Sequence, residues 1–296
     1  MSILLIFVDG VGIGTRGPHN PMDGADTAVL SFFQNEKFNV PFDGVVSITD
    51  AHLGVEGKPQ SASGQTTILT GVNAPAFLGQ HLSGFPGGSL RTVIQENSIL
   101  KKLVDRGRKV GFANAYAPRF FEKRPRFVSV STIASEAAGL RFRNIDDLKS
   151  GRAVYHDFTH SVLKGAGISI EYREADRAAR VLVELATDHE FCFYEHFITD
   201  FAGHSRDFNF AKNSIEQFDK FLISVLRQID LTSHTVMLVS DHGNIEDMTT
   251  KSHTDNKVAT IVWGRNSKSI AKQIKSLCDV TPAILAEFDL DSSSQS

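Results

Sequence analysis

The sequence predicts an α/β fold: a mostly parallel sheet sandwiched by helices, with a small insertion or cap. Three observations predict it. Short apolar runs rich in β-branched or aromatic residues alternate with segments of helical spacing. That alternation suits strands covered by helices on both faces. Most of the segments with chemical potential sit just after a predicted strand, where active sites of such sheets collect.

Residues 3–8 form a first buried strand ending in Asp9-Gly10, and residues 45–48 form a second. Residues 98–106 have helical spacing, with Ile99, Leu100 and Leu103 apolar and Gly107 as the stop. Residues 109–115 read as a strand, 174–188 as an amphipathic helix and 191–197 as an aromatic strand. Phe210, Ile215, Phe218, Phe221, Leu222 and Leu226 give 208–229 a helical stripe. Strands follow at 235–240 and 258–263. A closing helix spans 279–288, with Asp279 or Thr281 as its cap and Pro282 in its first turn. The expected organisation is one domain over 1–290, with an insertion at about 118–170 that holds a basic stretch, and a disordered tail at 291–296.

The 296 residues are 41% hydrophobic and 22% charged, an ordinary soluble composition with enough apolar material for a sizeable core. A net charge of -3 offers no field for nucleic acid or an anionic membrane, so neither is an expected partner. Two separated cysteines make no disulfide framework or zinc knuckle, and Cys192 in its apolar run reads as a buried free thiol. The first apolar run is too short to span a bilayer and lacks a basic leader and a cleavage site. A cytoplasmic location is therefore the expectation.

Four segments carry Asp and His: Asp9; Asp200 with His204; Asp241-His242; and His253. Hard oxygen with borderline nitrogen donors suits zinc or manganese. Carboxylates gathered in one place repel one another unless cations sit between them. Asp200 and His204 share a helix face at their spacing, and adjacent Asp241 and His242 can diverge to different partners. Singly each motif is weak, since Asp-Gly is a common turn and Asp-x-x-x-His a common solvated face. Their joint placement at successive strand ends makes the case. Residues 59–75 pack Ser61, Ser63, Gly64, Thr66 and Thr67 before a helix-like run. A Ser at a helix N-terminus beside a metal is a candidate nucleophile, though an ordinary N-cap has the same look.

Together these residues resemble the alkaline phosphatase superfamily, in its metalloenzyme branch with cofactor-independent phosphoglycerate mutase and phosphopentomutase. The resemblance covers about 1–75 and 190–290. It implies an alkaline phosphatase-like fold and two divalent ions, manganese or zinc. Asp200, His204 and His253 would hold one ion. Asp9, Asp241, His242 and the Ser61 hydroxyl would hold the other. Ser61, ahead of Ser63, matches the nucleophile of a Ser/Thr-x-x-Gly-His pattern, and Asp-His-Gly-Asn matches 241–244. Residues 279–285 look like the family's last helix. Gln65 stands where the mutases have His, the inserted segment is shorter than theirs, and Ser61 lacks the Cys/Ser-x-Pro-x-Arg context of sulfatases.

The resemblance implies attack by Ser61 on phosphorus and a phosphoserine intermediate. The expected activity is hydrolysis of a small phosphomonoester. Intramolecular phosphoryl transfer is the alternative, and a non-catalytic, metal-bound binder of a phosphorylated ligand a third reading. Candidate substrate contacts are Gln65, Asn73, His81, Asn114 and Arg119, with Tyr116, Arg124, Asp157 and His160 also near the presumed rim. Tyr155-His156-Asp157 with His160 reads as a solvated loop in preference to a third metal site.

Overall fold

The computed structural model describes residues 2–293. Six strands form one sheet in the order β2-β6-β5-β1-β4-β3: β1 (Ser2–Val8), β2 (Val45–Thr49), β3 (Val110–Phe112), β4 (Phe191–His196), β5 (His234–Val239) and β6 (Val258–Gly264). The central strand β1 pairs in parallel with β4 and β5, Phe7 lying opposite Glu195 and Val239. The strand at 258–264 runs against its neighbours β5 and β2, so the sheet is mixed and not uniformly parallel. The cause is the connection. A parallel return needs a crossover, usually a helix, and residues 240–257 contain none.

The helices are α1 (Ser61–Thr70), α2 (Ala74–Leu78), α3 (Gly88–Asn97), α4 (Ile99–Asp105), α5 (Pro118–Glu122), α6 (Val130–Ala137), α7 (Ile145–Lys149), α8 (Ser161–Gly165), α9 (Ala175–Thr187), α10 (Ile198–Ser205), α11 (Phe208–Gln228), α12 (Ser267–Gln273) and α13 (Val280–Ser293). They cover both faces of the sheet. Alternate residues of β1 show it: Leu4, Ile6 and Val8 join the core under α9 and α11, while Ile3, Leu5 and Phe7 join the core under α1, α3, α4, α6 and α13. Each such side chain contributes about 1.5–3 kcal/mol by leaving water. Helix α11 starts at Asp207, whose carboxylate accepts from Phe210 N at 3.0 Å. Its buried Asp219 accepts the backbone N–H groups of Ala28, Val29 and Leu30, each at 2.8 Å, and so pins the loop before β2.

The inserted segment is not one body. Helix α6 packs into the main core through Val130, Ile133 and Ala134. Helices α7 and α8 close a small core of Ala115, Leu148, Ala153, Tyr155 and Leu163. Neither Asp279 nor Thr281 caps the last helix. Asp279 ends a 3-10 turn (Leu277–Asp279) and accepts from Ser276 N, while the Thr281 hydroxyl donates to Ile68 O at 2.7 Å. Helix α13 continues to Ser293, so 291–293 are helical where a disordered tail is expected; 294–296 lie outside the described residues. Cys192 is a buried free thiol. Among the described residues no helix is long and apolar enough to cross a membrane.

Candidate metal centre and nucleophile

The carboxyl ends of β1, β2, β4 and β5 lie at one edge of the sheet, together with the start of β6. Four loops therefore meet there, the β5–β6 connection supplying two of the five strand ends. Asp9 follows β1, and its N–H donates to His196 O at 2.9 Å. Gly10, with φ at 72°, is needed at the turn, because a Cβ there would lie 2.7 Å from Asp200 Oδ1. Helix α10 follows β4 and carries Asp200 and His204 one turn apart. Asp241 and His242 follow β5. Ser240 Oγ accepts from Val11 N at 3.0 Å and donates to His242 O at 3.2 Å, tying the first and fifth strand ends together. His253 lies in the loop entering β6.

The side chains converge. His204 Nε2 is 3.4 Å from Asp200 Oδ2, His253 Nε2 is 3.7 Å from Asp200 Oδ1, and the two imidazole nitrogens are 3.2 Å apart. His242 Nε2 is 3.3 Å from Asp9 Oδ1 and 3.5 Å from Asp241 Oδ2. Asp200 faces both groups, since one of its oxygens also lies within 4.8 Å of ligand atoms from Asp9 and His242. The outer nitrogens are occupied: His204 Nδ1 meets Lys251 O and His253 Nδ1 meets Pro59 O, both at 2.9 Å. Donation from Nδ1–H leaves the Nε2 lone pairs pointing inward, the tautomer a metal needs.

Ser61 is the first residue of α1, after Gln60 in extended conformation. It is therefore not an N-cap side chain. Its Oγ lies 2.9 Å from His242 Nε2, at the positive end of the helix. Ser63 is buried and outside the cavity lining, its Oγ donating to Gln60 O and accepting from Leu82 N, both at 3.1 Å. Gln65, one turn on, donates to Asp9 Oδ2 at 3.2 Å and Asp241 Oδ2 at 3.4 Å. Gly64 lets α1 sit on the loop, since a Cβ would come within 2.9 Å of Asp241 Cβ.

A cavity of about 600 Å³ opens onto Asp9, Ser61, Gln65, Asp200 and His204. Its walls are largely aromatic: Phe85, Tyr116, Phe120, Phe127, Phe197 and Phe201. Of the expected substrate contacts, Gln65, Asn114 and Tyr116 line it. Asn114 is also committed to Glu195, donating to its O at 2.8 Å and accepting from its N at 2.9 Å. The others are elsewhere. Asn73 caps α2 through Ala76 N, and His81 contacts Val55 O at 3.3 Å; neither lines the cavity. Arg119 is also outside the lining, and Arg124 pairs with Glu136. Asp157 accepts from Thr159 and Val162, while His160 faces a separate pocket with Lys149, Lys164 and Arg173. Tyr155 and His156 line the cavity wall, His156 stacked on Phe197 at 3.8 Å.

Residues 162–292 match the family model described as the Metalloenzyme superfamily. Aligned relatives include the 2,3-bisphosphoglycerate-independent phosphoglycerate mutases of Methylobacillus flagellatus, 26% identical over 40% of this chain, and of Ehrlichia canis, 34% identical over 31%. The chain spans only 24% and 19% of those relatives' lengths. The structure of an alkaline phosphatase from the Antarctic bacterium TAB5 superposes with a TM-score of 0.53 at 12% identity, covering 96% of this chain and 97% of that one. A cold-active alkaline phosphatase from Shewanella sp. gives 0.56 at 11%, covering 97% and 99%. The fold is alkaline phosphatase-like. The family match includes Asp200, His204, Asp241, His242 and His253, whereas Asp9 and Ser61 lie before it.

The electrostatics of this candidate centre fit divalent cations. Burial, then the charges of Asp241 and Asp200, push the Asp9 carboxyl well above its ordinary value. Burial and Asp200 push Asp241 up to about 8. Burial opposes ionisation of Asp200 too, but the His204 hydrogen bond and the neighbouring His242 bring it down to about 2. Burial, then His253, holds His242 down to about 3, and burial lowers His253. Two imidazoles held toward their neutral form, His242 and His253, therefore face crowded acids, while the Asp200 hydrogen bond raises His204. Asp9 Oδ1 is buried without a hydrogen-bond partner. Such an atom is costly unless something positive meets it.

Two acids that motif reading passes over complete the picture. Glu246 Oε2 accepts from Gly12 N at 3.0 Å and Asn244 N at 2.8 Å, and its Oε1 accepts from Thr254 Oγ1 and from Asn256 Nδ2 at 3.0 Å. It holds the β1, β5 and β6 loops in one arrangement. Glu195, in β4, lines the cavity, and burial lifts its carboxyl to about 7 against the opposing hydrogen bond from Ser131. Its signal in the sequence is a lone acid inside an apolar strand.

Proposed function

We propose that the protein is a metal-dependent phosphohydrolase that releases phosphate from a small phosphomonoester through phosphoserine at Ser61. The observation that carries this reading is the Ser61 Oγ–His242 Nε2 contact of 2.9 Å at the mouth of the cavity, inside the Asp and His cluster. Asp200, His204 and His253 would hold one divalent cation, manganese or zinc, and Asp9, Asp241, His242 and Ser61 a second, which would supply Lewis-acid stabilisation of phosphoryl oxygens and a lowered hydroxyl pKa. Ser61 Oγ gives up its proton and attacks phosphorus; the P–O bond to the substrate alcohol breaks, and the alcohol leaves with a proton. Water then attacks the phosphoserine, restoring the hydroxyl and releasing phosphate. Asn244 Nδ2 donates to Asp200 Oδ1 at 2.6 Å, and Gln65 to Asp9 and Asp241, so the carboxylates are oriented before substrate arrives.

Intramolecular phosphoryl transfer is the second reading, favoured by the mutase relatives over the short shared stretch. Against it stands the cavity wall, where no arginine or lysine lies among the described residues. Holding an anionic phosphosugar or phosphoglycerate through two transfers calls for such donors. The test is product analysis on a phosphoester panel with manganese or zinc. Free phosphate supports hydrolysis; an isomerised phosphoester without free phosphate rejects it. A Ser61→Ala protein equal to the parent in every assay leaves only a phospholigand-binding role.

A further inference from the structure

We infer that the alcohol portion of the substrate carries an alkylammonium group, seated in the aromatic cavity against Glu195; this deepens the phosphomonoesterase reading and rests on it. Glu195 is 8% exposed and makes no ion pair with any described residue. Glutamate is almost never so buried unless paired. Its surroundings hold it ready: Oε1 accepts from Ser131 Oγ at 2.8 Å, and its backbone is clamped from both sides by Asn114. It belongs to neither of the candidate metal groups.

Position and wall chemistry agree. Glu195 lies opposite Phe7, which precedes Asp9 by one pleat repeat or roughly 7 Å, and Glu195 and Asp9 line the same cavity. Ser61 and Glu195 line the same cavity, so one small ester can face both. The walls of that cavity present Tyr116, Phe120, Phe127, Phe197 and Phe201. Aromatic faces attract a desolvated cation, and an ammonium too bulky to hydrate well gains most. A carboxylated or multiply phosphorylated alcohol would meet Glu195 with like charge.

The experiment compares phosphocholine with its uncharged carbon analogue 3,3-dimethylbutyl phosphate, and with p-nitrophenyl phosphate, on the manganese- or zinc-loaded protein. The parent is expected to favour phosphocholine over the carbon analogue by about tenfold or more in kcat/KM. Glu195→Gln is expected to collapse that ratio toward one. Phe127→Leu, at an exposed ring, is expected to shrink it with folding intact, which covers the case in which Glu195→Gln fails to fold. Equal kcat/KM for the two esters in the parent overturns the inference while leaving phosphatase activity standing. Absence of phosphate release from all three esters instead strikes the phosphohydrolase reading itself.

Discussion

His242 and His253, at opposite ends of the β5–β6 connection, stack ring on ring at 3.7 Å between centroids with a 14° angle between planes. The stack carries the geometry of the centre. It sets His242 Nε2 toward Ser61 and Asp9, and His253 Nε2 toward Asp200 and His204. Two neutral imidazoles tolerate this approach, while two imidazolium ions would repel.

Ser61→Ala removes the attacking oxygen with its His242 contact, while the helix keeps its backbone bonds. Phosphate release is expected to fall by roughly 10³-fold or more, with the melting temperature unchanged. Steady-state kinetics beside a thermal melt check both halves.

Removing metal with a chelator should lower the melting temperature, because Asp9, Asp200 and Asp241 are left crowded and desolvated. Adding back manganese or zinc at a hundred times its Kd should restore about 2.7 kcal/mol. Scanning calorimetry across a metal titration gives the answer, and a melting temperature indifferent to metal counts against the centre.

Glu246→Ala strips acceptors from Gly12, Asn244, Thr254 and Asn256 together. It touches no candidate metal atom, so its effect is one of positioning. Metal affinity is expected to drop about 10–100-fold. Competition with a metallochromic dye measures it, and Glu246→Gln should recover part of the loss.

Asp147 is held below its ordinary value of 3.8 by the Arg141 hydrogen bond, helped by Asn144 N–H. A depressed carboxyl contributes stability above its unfolded pKa and loses it as pH falls through the folded pKa. Asp147→Asn should therefore melt lower than the parent at pH 7. The gap should narrow as pH drops below 3.8 and close below the folded value. Circular dichroism melts over that range test it.

Much of the centre was legible because chemistry and position coincided. Asp9 and Asp241 each stand at a strand end, and Asp200 and His204 are one helical turn apart. Their convergence then follows from β1 lying between β4 and β5. The direction of β6 was not legible in its apolar residues, which suit either orientation; only the helix-free connection decides it. Asn73, His81 and Arg119 look like rim residues because they are polar near the right loops. The fold uses Asn73 as a cap and places the other two away from the cavity. Glu195 and Glu246 carry no spacing signature, because their partners are backbone groups and hydroxyls brought in from distant segments.

The most direct measurement is the metal content of the purified protein after equilibration with manganese or zinc and removal of free ion, read by inductively coupled plasma mass spectrometry. Two ions per chain are expected, falling to one or none in Asp200→Ala, whose carboxylate faces both groups. A chain that retains no metal, or a content unmoved by Asp200→Ala, contradicts the account.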